Sequence, residues 1–407
     1  MQNKSKLITM SNAINEALSF SMKKDKNLLC FGLGTTDPKG IFSTTANLEK
    51  KFGKHRVFDV PASENALTGI SVGLSLEKIR SVVSHQRLDF FLLAMDQLVN
   101  SAAKMHYMFN GQLKVPITIR LILGRGWGQG PTHSQNLQSW FAHIPGLKVV
   151  MPSSPLDAKG LLISSIFDPN PVLFLEHRWL HNCLGNVPKG HYRIPIGVAN
   201  TLLDGKDITV VSMSYLTTEA LIACNYLKKF GIEVDLIDLR SIKPLDLNSI
   251  ANSLRKTGKL LVLDTGVETC SVAADIIAKL STQYFSFFQK SPVLLAMPDV
   301  PEPTSFALTK NFYIRAADIA NKVLDECHLQ NISVLESMRR QGVGNFMLDI
   351  LKSEGIVFED IFIDKSFDYE KCDVIQGTVR SIKKSGVLID FNFKSDGYVA
   401  NSEIALN

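Results

Sequence analysis

Short apolar runs alternate with amphipathic stretches along most of this chain, and that alternation constrains the fold more than any other feature. In the first half, strands are predicted at 27–32, 57–60, 79–84, 116–123, 147–151 and 172–176, and helices at 8–22, 64–77, 89–108, 134–142 and 155–167. Apolar strands separated by helices are typical of a parallel sheet covered on both faces. The first half therefore predicts an α/β domain.

A second alternation begins after an irregular segment, 177–207, that is rich in His, Asn, Gly and Pro. The runs "DITVVSMSY", "IEVDLIDLR", "KLLVLDTG" and "PVLLAMP" read as strands with helices between them. We therefore predict two parallel-sheet α/β domains, at 1–190 and 191–328, with the boundary in the irregular segment.

The sequence changes character after the second domain. Amphipathic patches such as "VLESMRRQG" predict a helical linker at 329–370. The segment 371–407 alternates with a period of two and is punctuated by glycines, which is typical of antiparallel strands.

Composition excludes several classes of protein. The 407 residues carry a net charge of only +5, and the six cysteines include no C-x-x-C pair, so neither a basic nucleic-acid surface nor a zinc or disulfide framework is indicated. The N-terminus lacks the apolar core of a signal peptide, and no run approaches the length of a membrane span. We expect a cytoplasmic enzyme without a membrane segment.

The stretch "VFDVPASENALTG" at 57–69 places Glu64 at a helix start, directly after a short strand. Ser63 is a favoured N-cap residue, and a glutamate in the first turn interacts favourably with the helix dipole. On these residues alone, Glu64 is either an ordinary helix-start residue or a carboxylate placed for chemistry.

Several segments together resemble one family. "RVFDVPASENALTG", "LAMDQLVNSAAK", "PTHSQNLQSWFAHIPGLKVVMPSSPLDAKGLL", "PVLFLEHRWL", "LIDLRSIKPLD" and "MPDVPEPTS" are similar, in order, to the beta subunit of the thiamine-dependent first component of 2-oxo acid dehydrogenase complexes, as in pyruvate dehydrogenase. The resemblance covers about residues 8–328. It implies a transketolase-like fold, with a pyrimidine-binding domain followed by a C-terminal domain.

The resemblance also implies roles for particular residues. Glu64 matches the glutamate that hydrogen-bonds the cofactor's aminopyrimidine and promotes removal of the thiazolium proton, a task that requires a carboxylate held at a fixed, dry point. Phe90 matches the aromatic residue that stacks on this ring; the alternative is a core residue. His133 matches a histidine near the substrate and the incoming lipoyl group, after a glycine-rich approach. His85 is expected to line the active site without a defined role.

Two departures from the family pattern matter. The segment "VETCSVAAD" at 267–275 replaces the glycine-rich turn that relatives often carry after the matching strand. In addition, the chain has no GDG motif followed by a distal Asn, with which thiamine enzymes bind Mg²⁺ and the diphosphate. The resemblance therefore implies an alpha subunit that supplies these ligands in a heterotetramer of two alpha and two beta subunits, with a lipoyl acyltransferase as a further partner and a small 2-oxo acid as substrate.

The C-terminal segment resembles the start of an OB-type RNA-binding repeat from the multi-repeat ribosomal protein of the bacterial small subunit. Such a barrel needs about five strands, and only about three fit here. Val387, Ala400 and Asn401 stand where such repeats often have an aromatic residue and a histidine, so base-stacking platforms are missing. We expect a partial repeat, and we do not expect it to bind RNA.

Three functions remain open on the sequence alone. The first is a 2-oxo acid dehydrogenase beta subunit. The second is a subunit of a transketolase-like or acetoin-cleaving thiamine enzyme outside a dehydrogenase complex, suggested by the variants "GTTDPKGIFSTT" and "HQRLDF". The third, argued from the C-terminal segment alone, is a non-catalytic protein associated with the ribosome or RNA.

Overall fold

The structure is a computed structural model that describes residues 5–124, 129–310, 312–327, 378–383, 386–390 and 397–400. The strands are β1 Ser5–Thr9, β2 Leu29–Gly32, β3 Val57–Phe58, β4 Ser81–His85, β5 Ile117–Leu123, β6 Lys148–Val150, β7 Val172–His177, β8 Leu184–Pro188, β9 Asn200–Leu203, β10 Ile208–Ser212, β11 Val234–Asp238, β12 Ser241–Lys243, β13 Leu260–Val267, β14 Val293–Met297, β15 Thr378–Lys383, β16 Gly386–Asp390 and β17 Gly397–Ala400. The helices are α1 Met10–Lys24, α2 Leu48–Phe52, α3 Glu64–Leu76, α4 Leu88–Phe91, α5 Ala103–Met108, α6 Gln138–His143, α7 Pro155–Ile166, α8 Tyr215–Leu227, α9 Leu247–Thr257, α10 Val272–Gln283, α11 Phe306–Thr309 and α12 Ala316–Glu326.

Two sheets carry the α/β part of the chain. The first has seven strands in the order β12-β6-β7-β5-β4-β2-β3, and the second has five in the order β14-β13-β10-β11-β9. Neighbouring strands are parallel except at two edges, where β12 runs antiparallel to β6 and β9 runs antiparallel to β11. The predicted fold class, two α/β domains with parallel sheets, is confirmed. The antiparallel edge strands β12 and β9 were not part of the prediction.

The strands of both sheets are buried because helices cover them. One apolar cluster includes Ile14, Phe174 and Leu216, and a second includes Phe91 and Val262. Each cluster draws members from both sheets, so the two α/β domains share their cores within one compact unit.

The prediction of a helix at 89–108 is confirmed, although the type of helix changes along the segment. The segment is divided into α4, a 3₁₀ turn at Leu92–Ala94, a π-helical stretch at Gln97–Ala102 and α5. A π-helical stretch inside a helical region is often found at a functional site. The change from α-helix to 3₁₀ turn comes directly after Phe91, next to the predicted cofactor contact Phe90.

The C-terminal strands form a unit of their own. β15, β16 and β17 make a three-stranded antiparallel sheet, which confirms the prediction of antiparallel strands in this segment. The predicted linker at 329–370 lies outside the described residues. Within the part of the chain that the structure describes, no helix is both long and apolar enough to cross a bilayer.

Candidate active site

The three predicted site residues lie on connections that leave the same edge of the first sheet. β3 and β4 both pair in parallel with β2, and β5 pairs in parallel with β4. Glu64 follows β3, Phe90 follows β4, and His133 follows β5. In open α/β sheets ligands bind outside the carboxyl ends of the strands, so the topology directs these residues to the expected place.

Glu64 is the first residue of α3 and is half-buried. Its carboxylate makes no hydrogen bond or ion pair with the described part of the chain. Ser63 is the N-cap residue of α3, as predicted, although its hydroxyl makes no capping hydrogen bond. The carboxylate of Glu64 is therefore available to a ligand.

Phe90 and His133 are in contact. Their ring centroids lie 5.2 Å apart with an interplanar angle of 88°, an edge-to-face arrangement that aromatic rings favour. Phe90 is 40 % exposed, which is unusual for a core phenylalanine. His133 is half-buried, and its Nδ1 lies 2.9 Å from the hydroxyl of Thr132.

Asp89 holds this arrangement in place and was missed by sequence reasoning. Its Oδ1 accepts hydrogen bonds from Gln135, at 2.8 Å from Nε2 and 3.3 Å from the backbone N–H. Because Asp89 precedes Phe90 and Gln135 follows His133 by two residues, these bonds tie the two aromatic residues together. The one available signal was a carboxylate within the apolar run "LDFFLLA".

Gly130 allows the loop that carries His133 to approach the second domain. A Cβ at this position would lie 2.2 Å from Oγ1 of Thr304, closer than any side chain tolerates. The glycine-rich approach was expected to run close to a ligand. At Gly130 the backbone runs close to the "PEPTS" segment of the second domain, and the approach of this loop to a ligand stays a prediction.

A fully buried polar network lies beneath the site and was also missed. Arg120 of β5 donates from Nε to Oε1 of Glu176 at 2.6 Å and from Nη2 to Oγ1 of Thr44 at 2.8 Å. The other carboxylate oxygen of Glu176 lies 3.0 Å from Nε2 of His181. Burial alone would raise the pKa of Glu176, but Arg120 and His181 hold it below its ordinary value.

His85, the last residue of β4, is 5 % exposed. Its ring contacts Phe91 with centroids 4.9 Å apart, and its Nε2 has no hydrogen-bond partner. Burial lowers the pKa of His85 to about 4, so the imidazole is neutral at physiological pH. His85 therefore packs behind Phe91 rather than serving as a charged group.

Comparisons with known proteins identify the family to which this chain belongs. Residues 6–182 match the transketolase pyrimidine-binding domain, and residues 197–319 match the transketolase C-terminal domain. The chain is 38 % identical over 323 residues to the beta subunit of the acetoin:2,6-dichlorophenolindophenol oxidoreductase of Cupriavidus necator, covering 77 % of this chain and 95 % of that protein. It belongs to this beta-subunit family. It is also 36 % identical over 301 residues to the beta subunit of the pyruvate dehydrogenase E1 component of Bacillus subtilis, covering 74 % of this chain and 93 % of that protein.

A solved structure supports the fold of this beta subunit. A split-gene transketolase, described as an inactive beta4 tetramer, superposes with a TM-score of 0.66 over 80 % of this chain and 99 % of that one, at 20 % identity. At this identity the likeness concerns the fold alone. The beta subunit thus has the transketolase-like fold and belongs to a family of oxidoreductase subunits.

The departure at 267–275 is accommodated in this beta subunit by local hydrogen bonds. Ser271 caps α10 by accepting from the backbone N–H of Ala274 at 3.1 Å. The buried carboxylate of Asp264 accepts from the backbone N–H groups of Gly266 and Ala273 at 2.9 and 3.0 Å. Asp264 also accepts from Nε2 of Gln138 at 2.6 Å, which connects the start of α10 to the first domain.

The residues present fit one half of a thiamine cofactor. The unpartnered carboxylate of Glu64 can accept a hydrogen bond from a ring N–H, and the exposed face of Phe90 can stack on an aromatic ring. No group of three or more His, Cys, Asp or Glu side chains that could hold a metal ion occurs among the residues described. The fit therefore concerns the aminopyrimidine end of the cofactor.

Proposed function

We propose that this chain and an alpha subunit form a thiamine diphosphate-dependent 2-oxo acid dehydrogenase that transfers the acyl group to a lipoyl group on an acyltransferase. The observation that carries the proposal is the set of groups at one sheet edge. Glu64, whose carboxylate has no partner in the described part of the chain, and the contacting rings of Phe90 and His133 follow three strands of the same sheet. The family membership supplies the reaction class.

Each of the three residues has a role in this proposal. The carboxylate of Glu64 holds a proton shared with a ring nitrogen of the aminopyrimidine, and its half-buried position limits exchange with water. Phe90 orients that ring by stacking. His133, oriented by Thr132 and Phe90, accepts or delivers a proton at Nε2 near the substrate. Thiamine diphosphate, when bound, supplies the nucleophilic carbon that attacks the 2-oxo carbonyl.

We further propose that the alpha subunit binds Mg²⁺ and the diphosphate. The sequence lacks the GDG motif that serves this purpose in thiamine enzymes. A diphosphate with its magnesium needs oxygen ligands in octahedral geometry, which an acidic loop and an amide side chain provide. The assembly is therefore a heterotetramer in which each active site uses residues of both subunits.

Acetoin cleavage is the second candidate. It is favoured by the 38 % identity to the acetoin oxidoreductase subunit of Cupriavidus necator. The two candidates differ in substrate charge, because a 2-oxo acid carries a carboxylate and acetoin is neutral.

The deciding experiment is co-expression with a candidate alpha subunit, one that carries a GDG motif followed by a distal Asn, and then purification of the assembly. Pyruvate, branched 2-oxo acids and acetoin are then assayed with thiamine diphosphate, Mg²⁺ and a dye acceptor. Turnover of a 2-oxo acid, together with reductive acylation of an added lipoyl domain, supports the first candidate. Turnover of acetoin alone supports the second, and no turnover of any of them contradicts both.

The C-terminal segment is not assigned a part in this reaction. Its three strands form a separate compact unit, and the matched domains end at residue 319. The predicted partial OB-type repeat at 371–407 thus remains a proposal about origin rather than function.

A further inference from the structure

Two arginines at the carboxyl edge of the first sheet have no acidic partner among the residues that the structure describes. Arg87 follows β4 and is only 5 % exposed, and Arg178 directly follows β7 and is half-buried. The Nε of Arg178 is buried without a hydrogen-bond partner. Within the described ranges, neither arginine forms an ion pair. Buried charges are normally paired, so the absence of a partner needs an explanation.

Other arginines shielded from solvent in this chain do have carboxylate partners. Arg120 contacts Glu176 at 2.6 Å, and Arg240 contacts Asp157 at 2.6 Å. The unpaired state of Arg87 and Arg178 is therefore a local feature of this edge rather than a general property of the fold.

Both guanidinium groups lie against the same aromatic ring. The Cζ atoms of Arg178 and Arg87 are 4.4 Å and 5.9 Å from the ring centroid of Phe42. Phe42 and Ser43 have φ angles of +47° and +69°, a left-handed conformation that is costly for residues other than glycine. Such strain persists where the surrounding structure imposes it, and it concentrates at functional sites.

Thr44 provides the anchor that imposes this conformation. Its hydroxyl donates to the carbonyl of Ile41 at 2.6 Å and accepts from Arg120 at 2.8 Å. The loop is thus tied to the buried Arg120 network, and the tie presents the ring of Phe42 to the two arginines.

The electrostatics of the pair are unfavourable without an anion. Burial lowers the pKa of both Arg87 and Arg178, and the charge of Arg87 lowers that of Arg178 further. The negative charge of Asp89 partly counteracts the lowering of the pKa of Arg87, but its carboxylate lies outside ion-pair distance of that arginine. Arginine nevertheless stays protonated in proteins, so two like charges remain close together.

The pair lies beside the proposed cofactor site. Arg87 precedes Phe90 by three residues, and its Nη1 points to the carbonyl of Gly124 at the end of β5, at a long 3.5 Å. Phe42 and Arg178 are both half-buried, so the pair is reachable from solvent at their side. The arginines, Phe42 and Gly124 follow β2, β4, β5 and β7, which places them along the ligand-binding edge of the sheet.

We propose that Arg87 and Arg178, held by Phe42, bind one oxyanion, a carboxylate or a phosphate group. The planar guanidinium fork matches both groups through paired charge-assisted hydrogen bonds. The assignment of this anion to the substrate rests on the proposed function, where the anion is the carboxylate of the 2-oxo acid.

The first test measures binding by the full chain without alpha subunit or cofactor, so it does not depend on the proposed function. Isothermal titration calorimetry with inorganic phosphate and, separately, with pyruvate compares the wild type with Arg87→Gln, Arg178→Gln and Arg178→Lys. We expect both Gln variants to weaken binding at least about tenfold, because each removes charge-assisted hydrogen bonds. Arg178→Lys should lie between them and the wild type, since it keeps the charge without the fork.

Arg193→Gln is the matched control, because Arg193 lies 4.8 Å from the ring centroid of Phe167 and is exposed on the surface. It should bind the anions as the wild type does. Melting temperatures without anion give an independent readout. Removal of one of two unpaired like charges should leave the melting temperature unchanged or raise it, and phosphate should raise that of the wild type. Wild-type-like anion binding by both Gln variants, or no anion binding by the wild type, would overturn the proposal.

The second test assigns the source of the anion in the assembled enzyme. Arg178→Gln should raise KM for a 2-oxo acid at least about tenfold and leave KM for acetoin unchanged, because only the acid carries a carboxylate. If phosphate binds in the first test but both KM values are unchanged, the substrate assignment is wrong and the site belongs to a phosphate. If the enzyme does not turn over, the binding experiment alone decides whether the site exists.

Discussion

Asp89 accepts two hydrogen bonds from Gln135, and this pair ties the segment of Phe90 to the loop of His133, whose rings are in contact. The arrangement of the two rings therefore depends on a carboxylate that does not itself face the substrate in the proposed reaction.

Replacing Gln135 with Ala should disconnect the two aromatic residues. The variant removes the side-chain donor to the buried carboxylate of Asp89 and leaves only the weaker backbone N–H of residue 135, so we expect a loss of about 1–3 kcal/mol in the free energy of unfolding and a fall in kcat of the assembled enzyme. Denaturant titration and dye-reduction kinetics measure both. Asn100→Ala, which removes an exposed amide from Asp96 on the same segment, is the control and should change neither. A normal kcat in the destabilised Gln135 variant would contradict a positioning role.

Glu64→Gln should impair catalysis without lowering the stability of the chain. The amide keeps the size of the side chain but cannot exchange the proton, so we expect thiazolium proton exchange in the assembled enzyme to fall about 10²- to 10⁴-fold. NMR exchange and the melting temperature are measured together. Glu77→Gln, at the other end of α3, is the matched control. Near-normal exchange with a lowered melting temperature would make Glu64 an ordinary helix-start residue.

Glu176→Gln should strongly destabilise the chain. Removal of the carboxylate leaves Arg120 charged and fully buried, a change that typically costs about 3–5 kcal/mol. Lys279→Gln, which removes the exposed ion pair with Asp275, should cost only about 0.3–0.5 kcal/mol. Urea unfolding of both variants makes the comparison, and equal losses would mean that the buried network contributes no more than a surface pair.

The buried carboxylate of Asp238 should make stability depend on pH. Burial and the charge of Asp157 raise the pKa of Asp238 to about 7 in the folded chain, whereas an unfolded Asp titrates near 4. Between these values the folded state binds the additional proton, so this group's contribution to stability falls as pH rises from about 4 to 7. Asp238→Asn should therefore gain stability relative to the wild type as pH rises from 5 to 8. Thermal melts at several pH values measure this difference, and a constant difference would contradict the raised pKa.

Deletion of residues 335–407 should leave assembly and activity largely intact. The two matched domains end before this segment, and β15–β17 form a separate unit. Gel filtration with the alpha subunit and dye-reduction kinetics compare the truncated and full chains. Failure of the truncated chain to bind the alpha subunit would show that the segment takes part in assembly.

The sequence predicted the repeated elements well because their apolar patterns are local. The runs around Val82, Ile119 and Leu173 are apolar on both faces, and each became a central parallel strand. β12 was not predicted, because three residues within "LRSIKPLD" have no pattern of their own and become a strand only by pairing with β6. Pairing across domains is a tertiary event that propensity does not record.

The site likewise contains residues that local motifs reveal and contacts that only the tertiary fold creates. Glu64, Phe90 and His133 were identified through motifs, and their roles stay predictions. Asp89 and Gln135 could not be paired from the sequence, because 46 residues separate them and neither belongs to a charged pattern. The sequence also could not show that Arg87 and Arg178 are unpaired. Pairing depends on which carboxylates lie near the two arginines in the folded chain.

β12 also limits how this chain can move. The strand follows the last residues of β11 in the second sheet, yet it hydrogen-bonds to β6 at the edge of the first sheet. A hinge motion that opened a cleft between the two sheets would have to break that backbone ladder. In the proposed assembly, the cofactor would therefore enter as the subunits join or by loop motion at the carboxyl edge, and not through a hinge opening between the two sheets.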